Sequence, residues 1–482
     1  MTHSNTPLRN AARLPTDMRV MGARAAFTRK ALRSPLRLSR GAITDVILAS
    51  VAVDVEGSHG RRATGRGAIF LSDLWAWPAD SLPHREAETV MRRLTELICR
   101  EAPSALDGWG HPLEIGWALH GATPEFAARV VREAALPQTI PALAACVCVS
   151  PFDAALHDAY GLLHDRSGYD LLGPPHLPGD LAPYLGDLGR GVTLTQALSL
   201  QFSPRVPGCV VVGAADPLTA DEVTSPIDDG LPNCMADWVA GTGAHSAKLK
   251  VAGRDPAADA AWVARAFRGL CAAHVESGSR IEPWISVDPN ESYAGPDQLM
   301  AFLARLEEID PSCFRALRYI EQPIPRAIGL RVNLHEAAAL KPIFADESVV
   351  GIDECAALAR VGWTGMALKT AKGHTLCLLL AAWSHLAGRP YVLQDLTNPS
   401  LAALQALGLA ARLRTLNGIE LNSGQFAPSA NAAISAAHPG VFPLRNGFHD
   451  ASTLQGPGLG YADAQSTPDD ASCMISPPTT DT

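Results

Sequence analysis

The chain has 482 residues, 47% of them hydrophobic and 18% charged, a composition that excludes general disorder and, at about 150 residues per domain, a single small binding module. The formal net charge of −9 is uneven: the first 40 residues hold nine Arg/Lys and one acid, Asp17, leaving 31 basic against 48 acidic residues and a net of −17 for the rest. An acidic body excludes a duplex-binding role, which needs clustered basic charge to displace counterions.

Residues 1–33 read as a basic N-terminal extension, either a solvated arm or a transit-like leader, because they lack the apolar core of a secretory signal. Two extended segments follow, 42–55 and 65–71, joined by a turn with Gly57, Ser58 and Gly60. The spacing then predicts helices over 83–101, 124–135 and 151–163, each opened by a Pro suited to the first turn. Residues 34–190 therefore read as an α+β unit. Beyond it, short β-branched or aromatic runs alternate with Ala/Leu-rich helical patterns, the βαβ signature. The runs are 209–212, 247–251, 284–287, 318–320, 342–344, 366–368, 391–393 and 419–421. Eight such runs within residues 205–430 agree with a (β/α)8 barrel of about 250 residues, with a doubly wound open sheet as the competitor. Residues 431–464 contain Pro457-Gly458-Leu459-Gly460-Tyr461, and 465–482 read as a disordered Ser/Thr/Pro/Asp tail.

The longest apolar run in the C-terminal half, 376–383, is far short of the ~18 residues of a membrane span, so no membrane partner is expected. Ten scattered cysteines without a paired C-x-x-C signal neither a disulfide framework nor a structural zinc site, and a reducing cytoplasm is the natural setting.

Ionisable residues recur at the strand ends: Lys248 and Lys250 on the second run, Asp288 on the third with the amide of Asn290 two residues on, Glu321 on the fourth, Asp346 on the fifth and Lys369 on the sixth. In a parallel barrel these ends form the active-site face. Asp288, Glu321 and Asp346, on neighbouring strands, can meet around one cation, and all-oxygen ligation favours a hard ion such as Mg²⁺, with Mn²⁺ as the alternative. Lys250 and Lys369 stand four places apart in a ring of eight and flank whatever the metal holds. Lys248 together with the metal is expected to depress a lysine pKa toward that of a base. This arrangement suits proton abstraction next to a carboxylate. No G-x-S-x-G, H-E-x-x-H or phosphate loop is present.

The ordered set K-x-K, D-x-N, E-Q-P, A-D-E-S and L-K-T-A-K resembles the enolase superfamily, and specifically its muconate-lactonizing-enzyme-like branch within the mandelate racemase/muconate lactonizing enzyme family, over about residues 34–464. Ser34-Pro35-Leu36-Arg37 and the run from Ser150 to Asp158 are similar to the opening and last helix of that family's capping domain. The resemblance implies an α/β fold, a TIM barrel with an α+β capping domain at 34–190, to which 431–464 returns. It implies metal ligation by Asp288, Glu321 and Asp346, acid/base roles for Lys250 and Lys369, and a tuning or contact role for Lys248. The mechanism it implies, through an enediolate, is the superfamily's own. Asn290, Asp395, Trp75 and Trp77 are the candidate substrate contacts; the two tryptophans either shape the substrate or seal the two domains. Two departures stand out: Gly373 is followed by His374 where the family shows a Gly pair, and the seventh strand ends in Gln394-Asp395 without the His of the mandelate-racemase-like dyad. The expected activity is that of a racemase/epimerase or cycloisomerase on a small carboxylate, in a homo-oligomer. The alternatives are a β-elimination lyase, either a dehydratase or o-succinylbenzoate-synthase-like, and a non-catalytic barrel.

Overall fold

The computed structural model describes residues 14–38, 41–77, 82–278 and 280–461. The first 13 of the 33 residues of the expected extension and the whole expected tail (465–482) lie outside them. Three antiparallel strands, β1 (Met18–Leu38), β2 (Gly41–Gly57) and β3 (Arg62–Phe70), form a sheet in the order β1-β2-β3. Residues 18–33 are therefore not an extension but most of β1. Their arginines pair with acids on β2 and beyond: Arg19 with Glu56 (2.6 Å), Arg24 with Asp54 (2.7 Å), Arg29 with Asp45, and Arg33 with Asp229 (2.5 Å). The basic charge that read as a solvated arm is cross-strand charge complementarity.

Helices His84–Ala105, Pro112–Glu133 and Ala142–His164 follow. The second and third begin about ten residues earlier than expected, so Pro124 and Pro151 are interior rather than first-turn prolines. An interior Pro costs about 3 kcal/mol because it lacks a donor and crowds the carbonyl four residues back. The Ser150 hydroxyl supplies a replacement donor, 2.9 Å from the Val147 carbonyl. His111 and Glu114 close a capping box on the second helix, a start signal that the prolines obscured. The third helix lies against β3, where a side chain on Gly67 would place its Cβ 2.1 Å from the Pro151 carbonyl oxygen. This helix is long and apolar enough to cross a membrane by composition, but 94% of its apolar window is buried inside the protein.

The barrel strands are β5 (Val210–Val212), β6 (Ser246–Lys250), β7 (Trp284–Asp288), β8 (Leu317–Glu321), β9 (Ile343–Ala345), β10 (Gly365–Lys369) and β11 (Tyr391–Gln394), parallel in the order β11-β10-β9-β8-β7-β6-β5. The eighth expected run, 419–421, forms no regular strand. It closes the ring through single parallel bridges, Gly208 with Ile419 and Gln394 with Glu420. A short antiparallel pair, β4 (Arg205–Pro207) with β12 (Phe448–Asp450), sits beside it. Trp284, Tyr319, Phe344, Ala367 and Val392 form a compact buried cluster inside the ring. Two residues on from the last four come Glu321, Asp346, Lys369 and Gln394; side chains two apart on a strand share a face, so the polar layer stands directly above the apolar one.

The C-terminal segment lies against the capping unit. Leu459 N donates to Asp158 Oδ1 (2.9 Å), and the Tyr461 hydroxyl donates to the Arg66 carbonyl.

Candidate active site

The polar layer is built around three lysines. Lys248 Nζ lies 3.0 Å from Asp288 Oδ2, 2.8 Å from Glu321 Oε1 and 2.9 Å from Glu420 Oε2. Lys250 Nζ reaches Asp288 Oδ2 (3.0 Å) and Asn290 Oδ1 (2.9 Å). Lys369 Nζ is paired with Asp346 Oδ2, stands 4.0 Å from Glu321 Oε1 and lies 4.7 Å from the ring centre of Trp75. The ring thus brings together Lys248, Lys250, Lys369, Asp288, Glu321, Asp346, Asn290 and Trp75.

Electrostatics follow from burial opposed by pairing. Burial alone would raise the carboxyl of Asp288, but Lys248, Lys250 and Lys369 outweigh it and hold the group well below its usual range. Asp346 is likewise lowered, by Lys369 and Lys372 against its burial. Glu321 is pushed up by burial, with Asp288 and Asp346 adding to it against Lys248. Burial would pull the Lys369 ammonium down, yet Asp346, Glu321 and Glu347 carry it above the ordinary lysine value, and Lys248 is raised in the same way. Lys248 does lower the Lys369 ammonium, in the direction expected of it, but the carboxylates facing Lys369 outweigh that effect.

The three carboxylates do not form a ready-made metal cluster. Among the described residues no group of three His, Cys, Asp or Glu side chains stands close enough to do so, because lysine ammoniums fill the spaces between them. The donor set nonetheless fits a hard divalent cation. All three carboxylates are fully buried, and a buried acceptor oxygen remains without a hydrogen bond at the neighbouring Glu347 Oε2, while Asp346 Oδ1 faces the Lys372 ammonium at 3.1 Å. A cation there would be held by Asp288, Glu321 and Asp346.

A cavity of about 40 Å³ opens over this layer, lined by Lys248, Lys250, Lys369, Asn290, Glu420 and Trp75 among others. At about 10–15 Å³ per water it holds roughly three waters, so the capping unit is closed on it. Arg326 fixes that closure: it pairs with Glu291 (2.8 Å) and donates to the Trp75 carbonyl (3.0 Å). The Trp75 indole N–H is buried without a hydrogen-bond partner, leaving a donor in this wall.

Two expected contacts lie elsewhere. Trp77 is buried but does not line the cavity. The Asp395 carboxylate points into the backbone, accepting from Thr397 N (2.8 Å), Asn422 N (3.0 Å) and Ser423 N (3.3 Å). It ties two barrel loops together, and burial and Glu420 push its carboxyl up to about 8.

Three residues of the layer were not singled out from the sequence. Glu420 pairs with Lys248; Gln394 Nε2 donates to Glu321 Oε2 (2.5 Å); Lys372 Nζ donates to the Asp346 carbonyl (2.6 Å). The signal for Glu420 was present, an acid between Ile419 and Leu421 in the eighth apolar run.

No protein-family model matches the chain, and a search of curated protein sequences finds no match. Solved structures do match. A mandelate racemase/muconate lactonizing protein from Herpetosiphon aurantiacus aligns at 20% identity with a TM-score of 0.56, covering 93% of this chain and 98% of that one. A dipeptide epimerase from Enterococcus faecalis, complexed with Mg and the dipeptide L-Leu-L-Tyr, aligns at 16% and 0.57, covering 92% and 99%. A chloromuconate cycloisomerase from Rhodococcus opacus aligns at 17% and 0.56, covering 92% and 96%. The chain therefore has the fold of the mandelate racemase/muconate lactonizing enzymes, a TIM barrel with an α+β capping domain.

Proposed function

We propose that the chain is an isomerase that removes a proton from the carbon beside the carboxylate of a small substrate and returns it, as a racemase, epimerase or cycloisomerase with Mg²⁺ as cofactor. One observation carries this reading: Lys250 and Lys369, from strands four places apart in the ring, line the same small cavity. The fold shared with a racemase/lactonizing protein, an epimerase and a cycloisomerase supports the same class.

Two-way exchange requires the two amines to hold opposite protonation states, one ammonium and one free amine. Lys369, held as an ammonium by Asp346, is the group that delivers a proton. Lys250, held by Asp288 and Asn290 on the opposite wall, is the group assigned to the other face. A divalent cation held by Asp288, Glu321 and Asp346 would supply positive charge to offset what develops on the substrate carboxylate. Trp75 and the loop around Leu396 keep bulk water from the reacting carbon. With room for only roughly three waters, the closed cavity must open at the Trp75 loop to admit a carboxylate substrate.

The test is a mass-read screen of N-acyl amino acids, dipeptides and small carboxylates for α-proton exchange in D₂O with Mg²⁺. Exchange into both enantiomers is expected, with a loss of at least about 100-fold in Lys250→Ala and in Lys369→Ala. Undiminished exchange in both variants would sink the proposal, and no exchange on any substrate leaves a non-catalytic barrel. A β-elimination lyase is favoured by one feature, the fixing of Lys369 as an ammonium, which leaves Lys250 as a single base; loss of water from the product identifies it.

A further inference from the structure

A larger cavity, of about 560 Å³, opens at the other end of the barrel and shares no lining residue with the one over the lysines. Its size is that of a small-molecule site. Trp284, the first residue of β7, and Arg318, the second of β8, stand in its wall, whereas Asp288 and Glu321 end those two strands. The cavity therefore lies under the N-terminal ends of the strands, and what it binds is independent of the reaction proposed above.

Four guanidiniums line it, those of Arg205, Arg318, Arg412 and Arg414, and among the described residues no Asp or Glu does. In a chain with 49 acids against 40 Lys and Arg, this is a local inversion of charge. The arginines of β1 are each paired with an acid; among the described residues none of these four makes an ion pair. Aromatic faces hold three of them instead. Arg318 lies 4.4 Å from the ring centre of Trp284, Arg205 4.3 Å from that of Phe448, and Arg412 4.7 Å from that of Phe202. A guanidinium stacked on a ring is fixed in its plane while the N–H groups along its edge stay available to an anion. Arg412 also donates to the carbonyls of Gly408 (2.9 Å) and Leu454 (3.0 Å), which anchor it without cancelling its charge.

The positive potential is felt by the groups themselves. Burial pulls the Arg318 guanidinium below its ordinary value with no acid opposing it. Burial, with His274 and Arg318 adding to it, also lowers His245, which lines the same cavity. The remaining wall is mixed: Ile281 and Leu416 are large apolar side chains left exposed, and Gln201, Ser203 and Thr415 are neutral and polar. One carboxylate would leave most of this charge unmatched. A phosphate monoester carries about −1.5 to −2 charges near pH 7, and its oxygens match the guanidinium fork two at a time.

We propose that this cavity binds a small organic phosphate with at least two negative charges, its oxygens held by Arg205, Arg318 and Arg414 and its organic part laid against Ile281 and Leu416.

The probes are ADP and fructose 1,6-bisphosphate, titrated calorimetrically into the full chain without added metal. At least one should bind with a stoichiometry of one, and more weakly as salt is raised. Arg205→Gln and Arg318→Gln should each loosen it at least about tenfold, while Arg24→Gln, an exposed arginine of the capping sheet, should not. On the unaltered protein the bound phosphate should slow phenylglyoxal modification of Arg205, Arg318 and Arg414, located by peptide mass, a readout independent of how any variant folds. Binding of neither probe overturns the proposal. So does an equal loss in Arg24→Gln, modification of the three arginines unaffected by the ligand, or binding as tight by adenosine or by the tricarboxylate tricarballylate.

Discussion

Lys248 does more for the charge balance of the barrel than either lysine of the cavity wall, because its ammonium alone touches three carboxylates. Replacing it with Met leaves those carboxylates buried and under-compensated, a loss of about 3–5 kcal/mol. Urea unfolding of Lys248→Met should show that loss. Adding Mg²⁺ should restore part of it if the same oxygens take up a cation, since a ligand that binds only the folded state stabilises it. At this scale the sequence showed the residues that carry charge at the ends of apolar runs in an ordered series, Lys250, Asp288, Glu321, Asp346 and Lys369. It did not show Gln394 or Lys372, whose roles depend on a partner from another strand, nor that Asp395 turns into the backbone. Adjacent positions such as Gln394 and Asp395 face opposite sides of a strand, and only the register of pairing says which side is inward.

At the scale of elements, the third capping helix and β3 are in contact along their backbones because Gly65 and Gly67 carry no side chain. Gly67→Ala would force the helix off the sheet, and a destabilisation of about 1–3 kcal/mol or more is expected on overpacking grounds, read as a lower urea midpoint at unchanged slope. Arg24→Ala on β1 is the contrast: its ion pair with Asp54 is substantially exposed, so the change should cost under about 1 kcal/mol. β1 escaped the sequence reading because its basic residues hid the alternation. The complementary signal lay in Asp45, Asp54 and Glu56 on the next strand. The capping helices were legible in existence and type but not in their starts, since a Pro inside a helix and a Pro opening one look alike until the packing that compensates for it is seen.

The whole molecule carries its pH response in buried histidines near the seam between cap and barrel and in the C-terminal segment, and in buried carboxyls that oppose them. Burial holds His111 down to about 3, and His374 and His449 down to about 4. A histidine lowered on folding contributes stability that is present above its unfolded value near 6.5 and is lost as pH falls toward the folded value. His120 has the opposite sign: its contribution is full below about 6.5 and is lost as pH rises toward about 10. Each lowered histidine therefore adds up to about 1.4 kcal/mol of loss per pH unit as pH falls below about 6.5, while the raised carboxyls of Asp158 and Asp395, at about 7 and about 8, act the other way over the same range, their contribution full at about pH 4 and lost as pH rises. The histidine part is isolated by His449→Gln, which should shift the difference in calorimetric Tm between pH 5 and pH 7 toward greater acid stability; an unchanged difference would contradict the assignment.

Asp158 joins two parts of the chain made far apart in time. One carboxylate oxygen takes the backbone N–H of Arg66 (2.9 Å), the other that of Leu459. Translation runs from the N-terminus at about 5–20 residues per second, so a nascent cap waits many seconds, while the whole barrel is being made, for the residue that satisfies Asp158. Ribosome-stalled chains ending before residue 459 should accordingly be cut by protease within the capping helices, where the released protein resists. Completion of the cap is thus a report that the barrel between its two halves has been synthesised.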